Sequence, residues 1–91
     1  MKTYIISYDI VANQSSEKYN NLISLIQTAS SWAKPLESVW LIRSDKSASE
    51  IIDILIAAVD SVDQLIVIEL NKDWASFSID REVTDWMHGN I

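Results

Sequence analysis

Along Lys2 to Ile10 (KTYIISYDI), Tyr4, Ile6 and Tyr8 fall on one face of an extended chain, and Ile5, Ser7 and Asp9 fall on the other. Apolar groups on both faces predict a central strand that ends in a carboxylate. The stretch Val11 to Ser16, with Asn13, Gln14 and paired serines, has the composition of a loop, and Ser15 or Ser16 is placed to cap a helix. From Glu17, the positions Tyr19, Leu22, Ile23 and Ile26 recur at helical spacing, which predicts a first helix to about Ser30.

Trp32 to Leu36 is broken by Pro35, which lacks the amide donor of a sheet ladder, so a brief edge strand or its remnant is expected. In Glu37 to Ser44, Val39, Leu41 and Arg43 alternate with Ser38, Trp40 and Ile42, the pattern of an inner strand. Ser47-Ala48-Ser49-Glu50 is a capping box and opens a second helix whose stripe is Ala48, Ile51, Ile52, Leu55 and Val59. Asp60 to Asp63 reads as a turn and Gln64 to Leu70 (QLIVIEL) as the last core strand. Asp80 is expected to cap a short terminal helix carrying Val83, Trp86 and Met87, closed by Gly89.

Strand, helix, short strand, long strand, helix, strand is the order of an α+β, ferredoxin-like split βαβ sandwich, a four-stranded antiparallel sheet with two helices on one face. Right-handed crossovers put the first strand in the middle, antiparallel to the long and last strands. Asp9 is then expected near Glu37 and Ser38, with Asp63 approaching. Large apolar groups left on the uncovered face predict a face-to-face homodimer with Asp9 close to its two-fold axis. Residues 1–91 make one domain, with a core over 2–70 and a tail over 71–91.

Composition narrows the function classes. Hydrophobic residues make up 48% of the chain, high for a small monomer, which again favours an oligomer. The net charge is −6 and the seven basic residues are scattered, which weighs against a broad phosphate-binding groove and disfavours nucleic acid as a partner. With no cysteine there is no disulfide, thiolate nucleophile or thiolate metal site. Ser7 and Asp9 interrupt the N-terminal apolar run before a signal sequence is complete, and no stretch approaches the roughly 20 apolar residues of a membrane span, so a cytoplasmic protein is expected.

Tyr8-Asp9-Ile10 at the end of the first strand, followed by a helix and by Ser38-Val39-Trp40 at the head of a later strand, resembles the small CRISPR adaptation proteins, often called CRISPR-associated endoribonucleases. The likeness runs over about residues 3 to 70 and extends to the related virulence-associated protein D toxins. It implies a ferredoxin-like homodimer in which Asp9 of each subunit binds a divalent metal, Mg²⁺ or Mn²⁺, for phosphodiester cleavage, with Ser38 lining the site. In several such proteins the role is that of a scaffold. This chain departs from the pattern: Lys18 is the only near substitute for a basic residue soon after the aspartate, Leu41 stands where an acidic residue often follows, and the chain is acidic.

Each candidate also has a plainer reading. Asp9 at a strand end can cap the next turn, Ser38 and Glu37 can make local hydrogen bonds, and Ser7 can be a small packing residue. His88, the only histidine, falls in the terminal turn and reads as solvated. The tryptophans, without interleaved basic residues, suit cores and interfaces better than base stacking. Asp60, Asp63, Asp80, Glu82 and Asp85 read as a solvated surface. Two classes of function follow: a dimeric, non-catalytic adaptor whose sheet or C-terminal tail binds a protein, favoured by composition, and a metal-dependent nuclease using Asp9 and Ser38.

Overall fold

The computed structural model describes residues 1–11 and 16–91, so Asn13, Gln14 and Ser15 of the predicted capping loop lie outside the described residues. The elements in chain order are β1 (Lys2–Asp9), α1 (Glu17–Ile26), β2 (Ser31–Leu36), β3 (Val39–Ser44), α2 (Ala48–Leu55) with a 3₁₀ turn (Ile56–Ala58), β4 (Gln64–Glu69) and α3 (Arg81–Asn90). The sheet order is β2-β3-β1-β4, every neighbouring pair antiparallel, as the ferredoxin-like reading requires.

Local chemistry sets the helix ends. Ser16 Oγ accepts from the Tyr19 N–H at 3.1 Å and starts α1. The helix stops at Ile26, short of the expected Ser30, and Thr28 and Ala29 bond back to Leu25 and Ile26 in a tightened last turn. The Ser47–Glu50 capping box is complete, with both reciprocal bonds present, and α2 with its 3₁₀ extension reaches Ala58, as the apolar stripe predicts. The hydrogen bonds from Ser47 hold the Glu50 carboxyl below its usual range.

Tyr4, Ile6 and Tyr8 face the helices. They join Trp40, Ile42, Leu22, Ile26, Ile51 and Leu55 in the core, where Ile6, Leu22, Ile26 and Leu55 are almost wholly enclosed. Burial of each such aliphatic side chain contributes about 1.5–3 kcal/mol, so this layer is the main source of stability.

The edge strand and the terminal helix differ in detail from the sequence reading. β2 is a full edge strand from Ser31, and Pro35 is accommodated by an irregularity between Ala33 and Leu36 instead of ending the strand. α1 and α2 pack on one face of the sheet, as expected, and the terminal α3 lies against the other. Thr3, Ser31 and Arg43 share a row on the face opposite Tyr4, and they meet α3: Trp86 Nε1 donates to Ser31 Oγ at 2.6 Å, Arg43 Nη1 donates to the Asn90 carbonyl at 2.8 Å, and Thr3 Oγ1 donates to the same carbonyl. Gly89 does not close α3, which continues through it to Asn90. Asp80 occupies the N-cap position without a side-chain bond, its backbone carbonyl instead accepting from the N–H groups of Val83 and Thr84.

Candidate functional site

The register places Asp9 opposite Gln64 at the end of β1, on the face shared by Ile5 and Ser7, with its side chain exposed. It borders a shallow depression of about 240 Å³ with Ser7, Tyr8, Gln64, Leu65 and Ile66. Tyr8 N–H donates to the Ser38 carbonyl at 3.3 Å, so Ser38 is level with Tyr8 and Glu37 is the next position along, level with Asp9. The topology thus brings Asp9, Glu37 and Ser38 to one end of the sheet. Among the described residues, no group of three or more His, Asp or Glu side chains gathers as a metal site within one subunit. A metal held by Asp9 would therefore take its remaining ligands from water, substrate or a second subunit.

The two short motifs meet through their aromatic members. Trp40 Nε1 donates to the Tyr8 hydroxyl at 3.1 Å, and the Tyr8 and Tyr19 hydroxyls lie 3.1 Å apart. An indole N–H can only donate, so the Tyr8 oxygen accepts from Trp40, while either hydroxyl can be the donor between Tyr8 and Tyr19. Burial and the bond to Tyr19 push the Tyr8 hydroxyl up to about 12. Period-two alternation marks Tyr8 and Trp40 as core, but no local signal in either strand foretells this bond.

Asp63 is the residue the sequence undervalued. It is not part of a solvated surface: its side chain is 0% exposed and contacts the Lys18 ammonium, while Oδ1 accepts from Val11 N–H at 3.0 Å and Oδ2 from Asp60 N–H at 2.8 Å. The Lys18 ammonium, followed by the Asp60 and Val11 amides, holds Asp63 down to about 2. Lys18 also donates to Asp60 at 2.7 Å, and its hydrogen bonds to Asp60 and Asp63 raise its pKa above the ordinary lysine value. This cluster ties the exit of β1 and the first turn of α1 to the entry of β4. The first basic side chain after Asp9 in the chain is thereby committed to two carboxylates.

The open face is the larger feature. Sheet register aligns Ala33, Leu41, Ile5 and Ile68 in one row and Leu36, Val39, Ser7 and Ile66 in the next. Leu41 and Ala33 are buried, whereas Ile66 and Ile68 are 52% and 50% exposed. Between this face and the segment entering α3 runs a groove of about 610 Å³, lined by Ile5, Val39, Leu41, Trp74, Ile79 and Met87 among others, with Phe77 on its lip 89% exposed. His88 is exposed as expected and stacks obliquely on Trp74, ring centres 4.9 Å apart. No helix of the described residues is long and apolar enough to cross a membrane.

No model of a known protein family matches this chain, and no curated protein matches it.

Proposed function

We propose that this chain is a homodimeric, non-catalytic adaptor or scaffold, a divergent relative of the small CRISPR adaptation proteins, whose open sheet face receives a protein partner. The observation that carries this reading is the pair of apolar rows ending in Ile66 and Ile68, continuous with the groove under Phe77. Contiguous exposed apolar surface of this kind marks an interaction site, because leaving it in water forfeits about 25 cal/mol per Å². The commitment of Lys18 to Asp60 and Asp63 points the same way, since it removes a cation from the neighbourhood of Asp9 that a phosphate would need.

A second reading has its own support. Asp9 is exposed on that same face, where a face-to-face dimer would bring two of them together around Mg²⁺ or Mn²⁺ for phosphodiester cleavage, with Ser38 alongside. The deciding experiment incubates labelled single-stranded RNA and double-stranded DNA with either metal, comparing wild type with Asp9→Ala. The adaptor reading expects both proteins, folded and dimeric, to be equally inert. Cleavage by wild type that disappears in Asp9→Ala overturns it in favour of the nuclease.

A further inference from the structure

The two edges of the sheet are built differently. β2 carries Lys34, Pro35 and an irregularity in its register, features that discourage a further strand from pairing with it. β4, at the opposite edge, reads Gln64-Leu65-Ile66-Val67-Ile68-Glu69, with no proline, lysine or break in register.

Its pairing with β1 fixes which backbone groups are free. Leu70 N–H donates to the Thr3 carbonyl at 2.8 Å, so Ile68, Ile66 and Gln64, at alternate positions, also turn their backbone groups toward β1. Leu65, Val67 and Glu69 turn theirs outward, and among the described residues no backbone group meets them. An extended strand is what satisfies such a row.

We propose that β4 pairs with β4 of a second copy of this chain, antiparallel about a two-fold axis at Val67, so that the two sheets become one. This rests on the homodimer of the adaptor reading and specifies how the copies join: the seam takes up Ile66 and Ile68 at the edge of the open face and leaves the groove under Phe77 for the partner. In this register Val67 lies opposite its counterpart and Leu65 opposite Glu69, so every outward donor and acceptor is used, about six bonds in all. Moving the axis to Ile66 would set Asp63 against Glu69, carboxylate to carboxylate, and the Asp63 N–H already donates to the Asp60 carbonyl. Moving it to Ile68 would set Leu65 against Asn71, beyond the end of the strand.

Side chains favour the same arrangement. Ile66 of one copy faces Ile68 of the other on the open face, covering two side chains that are each about half exposed in the single chain. On the helix face Ile52, Ile56, Val59 and Leu65 line a hollow of about 360 Å³ beside the same edge, with Ile56 52% exposed. The geometry is self-complementary, as an isologous interface requires. It also separates the candidate acids: with strands ~4.8 Å apart and a rise of ~3.3 Å per residue, the two Asp9 positions stand about 25 Å from each other.

The test combines sedimentation equilibrium of the full chain with a spin-label distance from Asp9→Cys, a unique thiol because the chain has no cysteine. Expected are a dimeric mass and a label separation centred near 25 Å. Glu69→Pro, which deletes an outward N–H and leaves the β1 ladder intact, is expected to weaken the dimer by at least about tenfold. A dimer with labels within about 15 Å overturns edge pairing while leaving the homodimer standing. A monomeric wild type removes both. Undiminished dimerisation of Glu69→Pro would also count against the β4 seam.

Discussion

The bond between Trp40 and Tyr8 joins two buried residues, 4% and 6% exposed, and among the described residues the indole N–H has no other acceptor. Tyr8→Phe keeps the ring and its packing and removes only the oxygen. The Trp40 N–H is then left unsatisfied in the core, which costs about 1–3 kcal/mol. For a chain of 91 residues each kcal/mol lowers Tm by roughly 4–8 °C, so a fall of about 5–20 °C is expected. Thermal unfolding followed by far-ultraviolet circular dichroism at one protein concentration measures that fall, and urea unfolding the free-energy cost, without relying on tryptophan emission. The control is Trp40→Phe, which deletes the donor: in that background Tyr8→Phe should cost less by about 1 kcal/mol, the coupling of a double-mutant cycle. Equal costs in both backgrounds would refute the bond, as would a Tyr8→Phe protein as stable as wild type. The titration adds an independent check. A phenol raised to about 12 in the fold, against 10.0 as its ordinary value, is held in its neutral form. Its contribution is complete below pH 10 and is lost as pH rises from 10 toward 12, and Tyr8→Phe should remove that alkaline loss.

Two further outcomes can be checked with the same unfolding assay. Asp63, lowered to about 2 from 3.8, stabilises the fold above pH 4 and loses that contribution as pH falls from 4 toward 2; Asp63→Asn should weaken the protein at neutral pH and flatten its acid limb, and an unchanged limb would place the carboxylate outside the cluster. Ser47→Ala removes one half of the capping box of α2 and should cost about 1 kcal/mol, whereas Ser49→Ala, which caps nothing, should leave the urea midpoint near wild type.

The order of elements was legible because each follows from neighbours in the chain. Alternation in Lys2–Asp9 needs only two residues to repeat, the α1 and α2 stripes need one helical turn, and Ser47 finds Glu50 three positions away. Boundaries were less secure where local signals compete with packing. Pro35 suggested a broken strand, but at an edge its missing donor can face away from the sheet. Gly89 suggested a stop, but α3 carries on and presents the Asn90 carbonyl to Arg43 and Thr3.

Chemistry at the candidate site depended more on distance. Asp9 could be placed at the end of β1 from the pattern alone, and its neighbours followed from right-handed crossovers. The shielding of Asp63 could not, because it arises when residues 11, 18, 60 and 63 converge from three separate segments of the chain.

What the sequence determined by itself is therefore the set of strands and helices and their split βαβ order, since short-range sterics and hydrophobic period act within a few residues. Tertiary structure alone decided that Trp40 donates to Tyr8, that α3 crosses to the other face of the sheet, and which backbone groups β4 leaves pointing outward. Those outcomes are relations between strands and helices far apart in the chain, and a hydrogen bond has no partner until the fold has closed the distance.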